Sequence, residues 1–143
     1  MHYNSARYVE FPQIMESRGK LTYVEGERTV PFSVKRIYYI YDIPDSNAKR
    51  GGHAHRGVQE VMIPIAGQFE VTCDNGVEKT HFHMVKRNVG LYVPEMVWAD
   101  LFNFSKNAIC LVLSSEYYDE VNYVRKYSDF IQEIKKMKKG DKS

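Results

Sequence analysis

RGGHAHRGVQEVMIPIAG, residues 50–67, sets His53, His55 and Glu60 on or beside one extended segment that runs into Gly67. Successive side chains of a strand point to opposite faces, so His53 and His55 share a face and Ala54 turns aside. Two imidazoles then enter one cavity or one surface. That pairing suits metal binding, and it suits proton transfer near neutral pH equally well.

Downstream of this stretch, a turn at Gly67, an Asp74-Asn75-Gly76 hairpin signal, a turn at Lys86 to Asn88 and the apolar run AICLVLSSEYY describe a meander of short strands. Upstream, residues 7–15 and 21–27 alternate loosely about Ser17-Arg18-Gly19, as an opening hairpin would. FSVKRIYYIYDIP then combines β-branched and aromatic residues into a strand on which Arg36 and Tyr38 share a face and Tyr39 takes the other. From Asp119 to Lys139 the period changes: Tyr123, Tyr127, Phe130, Ile134 and Met137 recur every three or four residues, which predicts one helix ending in the basic KKMKKGDKS. Many short strands without alternating helices predict an all-β fold, specifically a jelly-roll β-barrel with a C-terminal α-helix, as one domain spanning 1–143.

The chain has 143 residues, 43% hydrophobic and 27% charged, and carries a net charge of +2 from 20 basic and 18 acidic residues. This balance marks neither a nucleic-acid nor a membrane partner. Cys73 and Cys110 lie in separate apolar stretches without a CxxC spacing, which predicts two buried thiols. With no apolar run of signal-peptide or membrane-spanning length, a cytoplasmic protein is expected.

His53, His55, Glu60 and Gly67 match the first cupin motif, and Gly90, Pro94 and Asn103 resemble the frame of the second. Ala99 stands where that motif has the His that completes a metal site. More specifically, RGGHAH, KRIYYIYD, GLYVPEMVW and SSEYYDEVNYVRKYSDF together resemble the sugar 3,4-ketoisomerases that act on dTDP-4-oxo-6-deoxyglucose, WxcM-like cupins. The resemblance implies a cupin fold working without metal or other cofactor, on a dTDP-linked 4-oxo-6-deoxyhexose, in making deoxyamino sugars for cell-surface glycans such as the O-antigen of lipopolysaccharide. It also implies a homodimer that exchanges N-terminal strands, here residues 1–30.

Such a reaction needs a base for a carbon-bound proton and a carrier between two oxygens, roles given to His53 and His55. Tyr38, Arg36 and Arg50 are candidates to stabilise the developing oxyanion, with Tyr38 grouped among the catalytic residues. Arg36 and Arg50 also suit the diphosphate, Glu60 would orient a histidine or tyrosine, and Tyr92 and Trp98 would line the barrel against substrate. Arg18 enters because the resembled family brings that loop toward the sugar. His81 and His83, a second HxH beyond the Asp-Asn-Gly turn, are expected to be solvent-exposed and not ligands. The competing readings are a non-catalytic cupin that binds a nucleotide sugar, and a metal cupin, against which Ala99 argues.

Overall fold

The computed structural model describes residues 5–141. The first four residues of the expected exchange segment and the last two of the basic tail lie outside them. Among the described residues twelve strands precede the helix: β1 (Arg7–Glu10), β2 (Gln13–Glu16), β3 (Gly19–Thr22), β4 (Arg36–Ile40), β5 (Arg50–His55), β6 (Glu60–Ala66), β7 (Phe69–Asp74), β8 (Lys79–Met84), β9 (Val89–Val93), β10 (Trp98–Phe102), β11 (Ile109–Ser114) and β12 (Tyr123–Val124). The helix, α1, spans Tyr127–Asp141. Two five-stranded antiparallel sheets, ordered β1-β9-β6-β11-β4 and β12-β5-β10-β7-β8, face each other, and β2-β3 forms a separate ribbon. The fold is predominantly β as expected, and the barrel is an open pair of sheets.

β6 is the central strand of its sheet, and both its faces are covered. Met62 turns into the core between the sheets, in one cluster with Val71, Phe82, Leu91 and Val112. Val61 and Ile63 turn outward beneath Phe11, Val30 and Phe32. A proline is disfavoured inside a sheet because it cannot donate to the ladder. Pro64 is tolerated because the register against β11 shifts there, with Ile109 opposite Ala66 and Cys110 opposite Pro64. Gly67 then reverses the chain at φ +63°, where a Cβ would come within 2.5 Å of Ser105 Oγ and 2.8 Å of Ala108 Cα. Only glycine fits that turn without displacing a neighbour.

Three expectations change in detail. The opening hairpin is β2-β3, while β1 leaves it to pair with β9, Tyr8 opposite Leu91. The strand in FSVKRIYYIYDIP is shorter than the apolar stretch, yet its alternation holds, with Ile37 and Tyr39 exposed. The C-terminal helix begins at Tyr127, not Asp119. Asp119 caps a short 3-10 helix (Glu120–Asn122) by accepting from the Val121 amide, and Tyr123 and Val124 then add a strand to the edge of β5. Pairing Tyr123 with His55 satisfies backbone groups on an otherwise open edge, which outweighs the helical spacing of that tyrosine. α1 itself buries Phe130 and Ile134 against Ala54, Trp98 and Val124, so it seals the outer face of β5 and β10. Cys73 and Cys110 are buried free thiols. No helix among the described residues is long and apolar enough to cross a membrane.

Candidate active site

At one end of the space between the sheets lies a cavity of about 390 Å³. Its polar wall comes from four strands: Arg36 and Tyr38 on β4, Arg50, His53 and His55 on β5, Glu60 on β6, and Tyr123 on β12. Met62, Leu101 and Val112 supply an apolar floor. Strand alternation explains the delivery: His53 and His55 face the cavity while Ala54 is buried under α1. Gly51, at φ +81°, bends the chain so that β5 can run close to β10, and a Cβ there would lie 2.7 Å from the Ala99 carbonyl oxygen.

The imidazoles of His53 and His55 meet edge to face, with ring centroids 4.6 Å apart. Tyr123 lies against both, 5.0 Å from His53 and 4.4 Å from His55. Behind them the Tyr38 hydroxyl donates to Glu60 Oε2 at 2.7 Å, and Glu60 Oε1 is 3.5 Å from His55 Nδ1. Glu60 and His55 are 2% and 6% exposed, so this chain of contacts is shielded from water. His53 Nδ1, His55 Nε2 and Arg36 Nε are buried without hydrogen-bond partners. Buried polar atoms cost free energy when unpaired, so three of them lining one cavity describe a site shaped for a polar ligand.

Burial sets the protonation states. It lowers the His55 pKa to about 3, helped by His53 and by the cations of Arg36 and Arg125. The Glu60 carboxylate at 3.5 Å opposes that descent, but desolvation, the largest cause, outweighs it. His53 is also lowered, first by burial and then by Arg125, with the Gly51 carbonyl working the other way. Burial raises Glu60 to about 6, although the Tyr38 hydrogen bond and Arg36 pull it down. Tyr38 is held protonated by burial and by Glu60. At neutral pH the pocket therefore holds two neutral imidazoles beside a carboxylate. If His55 presents Nδ1–H to Glu60, its Nε2 lone pair is free to act as a base toward the cavity.

Some residues grouped by sequence are brought together here and others are not. Arg36, Tyr38, Arg50, His53, His55 and Glu60 all line the cavity. Tyr38 sits beside the histidines, but its hydroxyl hydrogen is directed at Glu60 and not at the open space. Tyr92 lies outside: its ring stacks under Arg7 at 4.8 Å and its hydroxyl donates to Gln59 Oε1 at 2.6 Å. Trp98 lies outside as well, because period-2 alternation turns Ala99 inward and Trp98 outward, against Tyr127 and Phe130. Arg18 is exposed in the β2-β3 turn. Ala99 is the register partner of His53 and offers the cavity only a methyl group, and both oxygens of Glu60 already face Tyr38 and His55. The donor set of a four-ligand cupin metal is incomplete.

Tyr118, Tyr123 and Arg125, none of which the sequence marks as a site residue, also line the cavity. Arg125 lies 4.4 Å over the Tyr123 ring and pairs with Glu120 through Nε–Oε1 at 2.5 Å and Nη2–Oε2 at 2.9 Å. Glu120 also accepts from the Tyr118 hydroxyl at 2.6 Å. The available signal was Asp119 with the β-prone Tyr123-Val124 pair, which together break a helix.

Comparison with known proteins agrees with this geometry. The family model described as FdtA: WxcM-like, C-terminal matches residues 4–135. The chain is 37% identical over 131 residues, 92% of its length and 94% of the relative's, to the TDP-4-oxo-6-deoxy-alpha-D-glucose-3,4-oxoisomerase of Aneurinibacillus thermoaerophilus. A His-to-Asn variant of the 3,4-ketoisomerase QdtA from Thermoanaerobacterium thermosaccharolyticum, solved with TDP-4-keto-6-deoxyglucose, superposes with a TM-score of 0.89 at 36% identity, over 95% of this chain and 97% of that one. A 3,4-ketoisomerase from Helicobacter canadensis gives a TM-score of 0.89 at 33% identity, over 94% and 99%.

Proposed function

The chain belongs to the WxcM-like, C-terminal family, and from that premise we propose that it is a sugar 3,4-ketoisomerase, moving the ketone of dTDP-4-oxo-6-deoxy-D-glucose from C4 to C3 through an enediol. The observation that carries this reading is the pair of neutral imidazoles, His55 buried and His53 half-buried, each with a buried nitrogen that has no hydrogen-bond partner and both lining one cavity. A neutral imidazole accepts a proton and gives it back, and a lowered pKa keeps both rings in that state at neutral pH.

In the proposed sequence His53 takes the proton from C3, and that electron pair forms the C3–C4 double bond as the C4 carbonyl becomes an oxyanion. His55 then relays a proton from the C3 hydroxyl to that oxygen. As the C3 carbonyl forms, His53 or water returns a proton to C4, so the substrate is rearranged without net redox change. Arg36 suits the developing oxyanion, because its buried Nε–H has no other acceptor. Glu60 and Tyr38 act through His55 as positioning residues. Arg50 and Arg125, toward solvent, suit the diphosphate.

The family's homodimer enters on a separate observation. β1 is bonded to β9 of its own chain, whereas β2-β3 is a detached ribbon exposing Ile14, Met15 and Leu21. The exchange within residues 1–30 is therefore assigned to that ribbon, which a second copy would cover, and Arg18 at its tip would then approach the partner's cavity. Incubating purified protein with dTDP-4-oxo-6-deoxyglucose and following the sugar by NMR tests the reaction. A C3 ketone is expected, and unchanged substrate at saturating enzyme would leave only binding.

A further inference from the structure

The outer face of the hairpin formed by β7 and β8 carries a second cluster that the isomerase reading does not use. His81 and His83 are two apart on edge strand β8, so both turn outward while Phe82 and Met84 fill the core. Glu70 stands opposite His83 on β7 and turns to the same face. Glu70 Oε1 is 2.8 Å from His81 Nε2 and 3.6 Å from His83 Nδ1, and one ligand atom from each of the three lies within 4.8 Å of the others. The imidazoles are nearly parallel, with centroids 4.7 Å apart at 21°.

We propose that Glu70, His81 and His83 form a surface site for a zinc-class divalent metal that braces the β7-β8 edge. Zinc bonds of about 2.0–2.1 Å to nitrogen and 2.0–2.2 Å to carboxylate oxygen place tetrahedral ligand atoms roughly 3.4 Å apart. The two separations to Glu70 straddle that value, so small side-chain rotations suffice. Two imidazoles and one carboxylate are the donor set zinc accepts with water in the fourth position, and the outward face leaves that position open. Asn103 supplies the outer support. Its side-chain amide donates to Glu70 Oε2, which fixes the carboxylate and leaves Oε1 toward the histidines. The hydrogen-bonded hairpin, closed by Asp74 and Gly76, holds the donors in register. The expectation that His81 and His83 are solvent-exposed holds, and the proposal revises only their exclusion as ligands.

The test is calorimetric titration of chelator-treated, full-length protein with zinc chloride, on the native sequence and on a His53→Asn/His55→Asn variant that removes the cavity imidazoles. One saturable site in the micromolar range is expected in both. Glu70→Gln, His81→Asn and His83→Asn should each weaken it by roughly 100-fold or more, and Asn103→Gly, which keeps the positive φ of 56°, by about 10–100-fold. Excess zinc should raise the melting temperature of the native protein by on the order of 5 °C and leave His83→Asn unmoved. Absence of saturable uptake up to about millimolar zinc, loss of it in the cavity variant, or its survival in both Glu70→Gln and His83→Asn would overturn the site. Binding without a thermal shift would overturn the bracing role.

Discussion

His53-Ala54-His55 and His81-Phe82-His83 share one spacing and one sheet, yet they present different chemistry. Ring separation hardly differs, 4.6 Å against 4.7 Å, because two positions along a strand fix it. The sheet face makes the difference. The first pair points between the sheets, where burial lowers both pKa values and leaves a nitrogen of each ring unpartnered. The second points into water, beside a carboxylate that already satisfies it. A His-x-His motif therefore specifies a distance, and the surrounding fold turns that distance into a pair of bases or a pair of donors.

The largest expected break in this comparison comes from replacing one member of the inner pair. Asn keeps approximate size and hydrogen bonding but does not titrate, so His53→Asn and His55→Asn should each lower turnover by about 10²–10⁴-fold while the fold survives. In deuterated water, His53→Asn should abolish exchange at C3, and His55→Asn should still permit it. Wild-type exchange in His53→Asn would remove it as the carbon base.

A smaller effect, near tenfold to a hundredfold, is expected for Glu60→Gln, an outer partner of His55. Its sign with pH is distinctive. Glu60 titrates near 6, so wild-type turnover should fall as pH drops through that value and the carboxylate facing His55 is neutralised. The Gln variant should lack this acid limb and run at a low, flatter level. An unchanged limb in Glu60→Gln would assign it to another group. Gly51→Ala tests the backbone beneath: a methyl group 2.7 Å from the Ala99 carbonyl must push β5 from β10, so turnover should fall roughly tenfold with His53 still present.

The parts of this molecule that were legible in the sequence are those where one physical rule acts alone. Period-2 alternation placed Arg36, Tyr38, His53 and His55 correctly, and the Asp74-Asn75-Gly76 turn marked the β7-β8 hairpin. Where two rules compete, the longer-range one wins. Tyr123 fits a helical stripe, but the unpaired edge of β5 captures it as a strand, and with it Arg125 reaches the cavity mouth. Trp98 and Tyr92 are aromatic residues next to inward positions, and only the pleat of β9 and β10 decides that they face away. Glu60 is expected from the sequence to orient a histidine or a tyrosine, and that the tyrosine is Tyr38 was not legible, because the approach of β4 to β6 across β11 is a tertiary fact.

Stability offers a further contrast, smaller than the effects on turnover. The folded-state pKa of His55 is depressed from 6.5 to about 3, so its contribution is present above the unfolded value and is lost as pH falls toward the folded one. Between pH 6.5 and 5 this single group should cost about 2 kcal/mol of unfolding free energy. Glu60 acts in the opposite sense: its pKa is raised to about 6, so the stability it contributes is complete below 4.5 and lost as pH rises through 6. Urea unfolding of His55→Asn should therefore show a shallower decline from pH 6.5 to 5 than the wild type, and an equal decline would assign the loss elsewhere.

The smallest expected effect on turnover belongs to the outer pair, and it is the control on which the comparison depends. His81 and His83 side chains are 46% and 65% exposed, their partners Glu70 and Phe102 do not line the cavity, and they lie on the opposite face of the sheet. Surface substitutions away from special features change stability by about 0.5 kcal/mol or less, equivalent to roughly a factor of two in an equilibrium constant. His81→Asn and His83→Asn, assayed without added metal, should thus keep turnover within about twofold of wild type, with an unaltered pH profile. A tenfold loss in either would mean that the outer face reports to the cavity through the sheet. The two motifs would then have to be treated as one coupled unit, not as equal spacings separated by a wall.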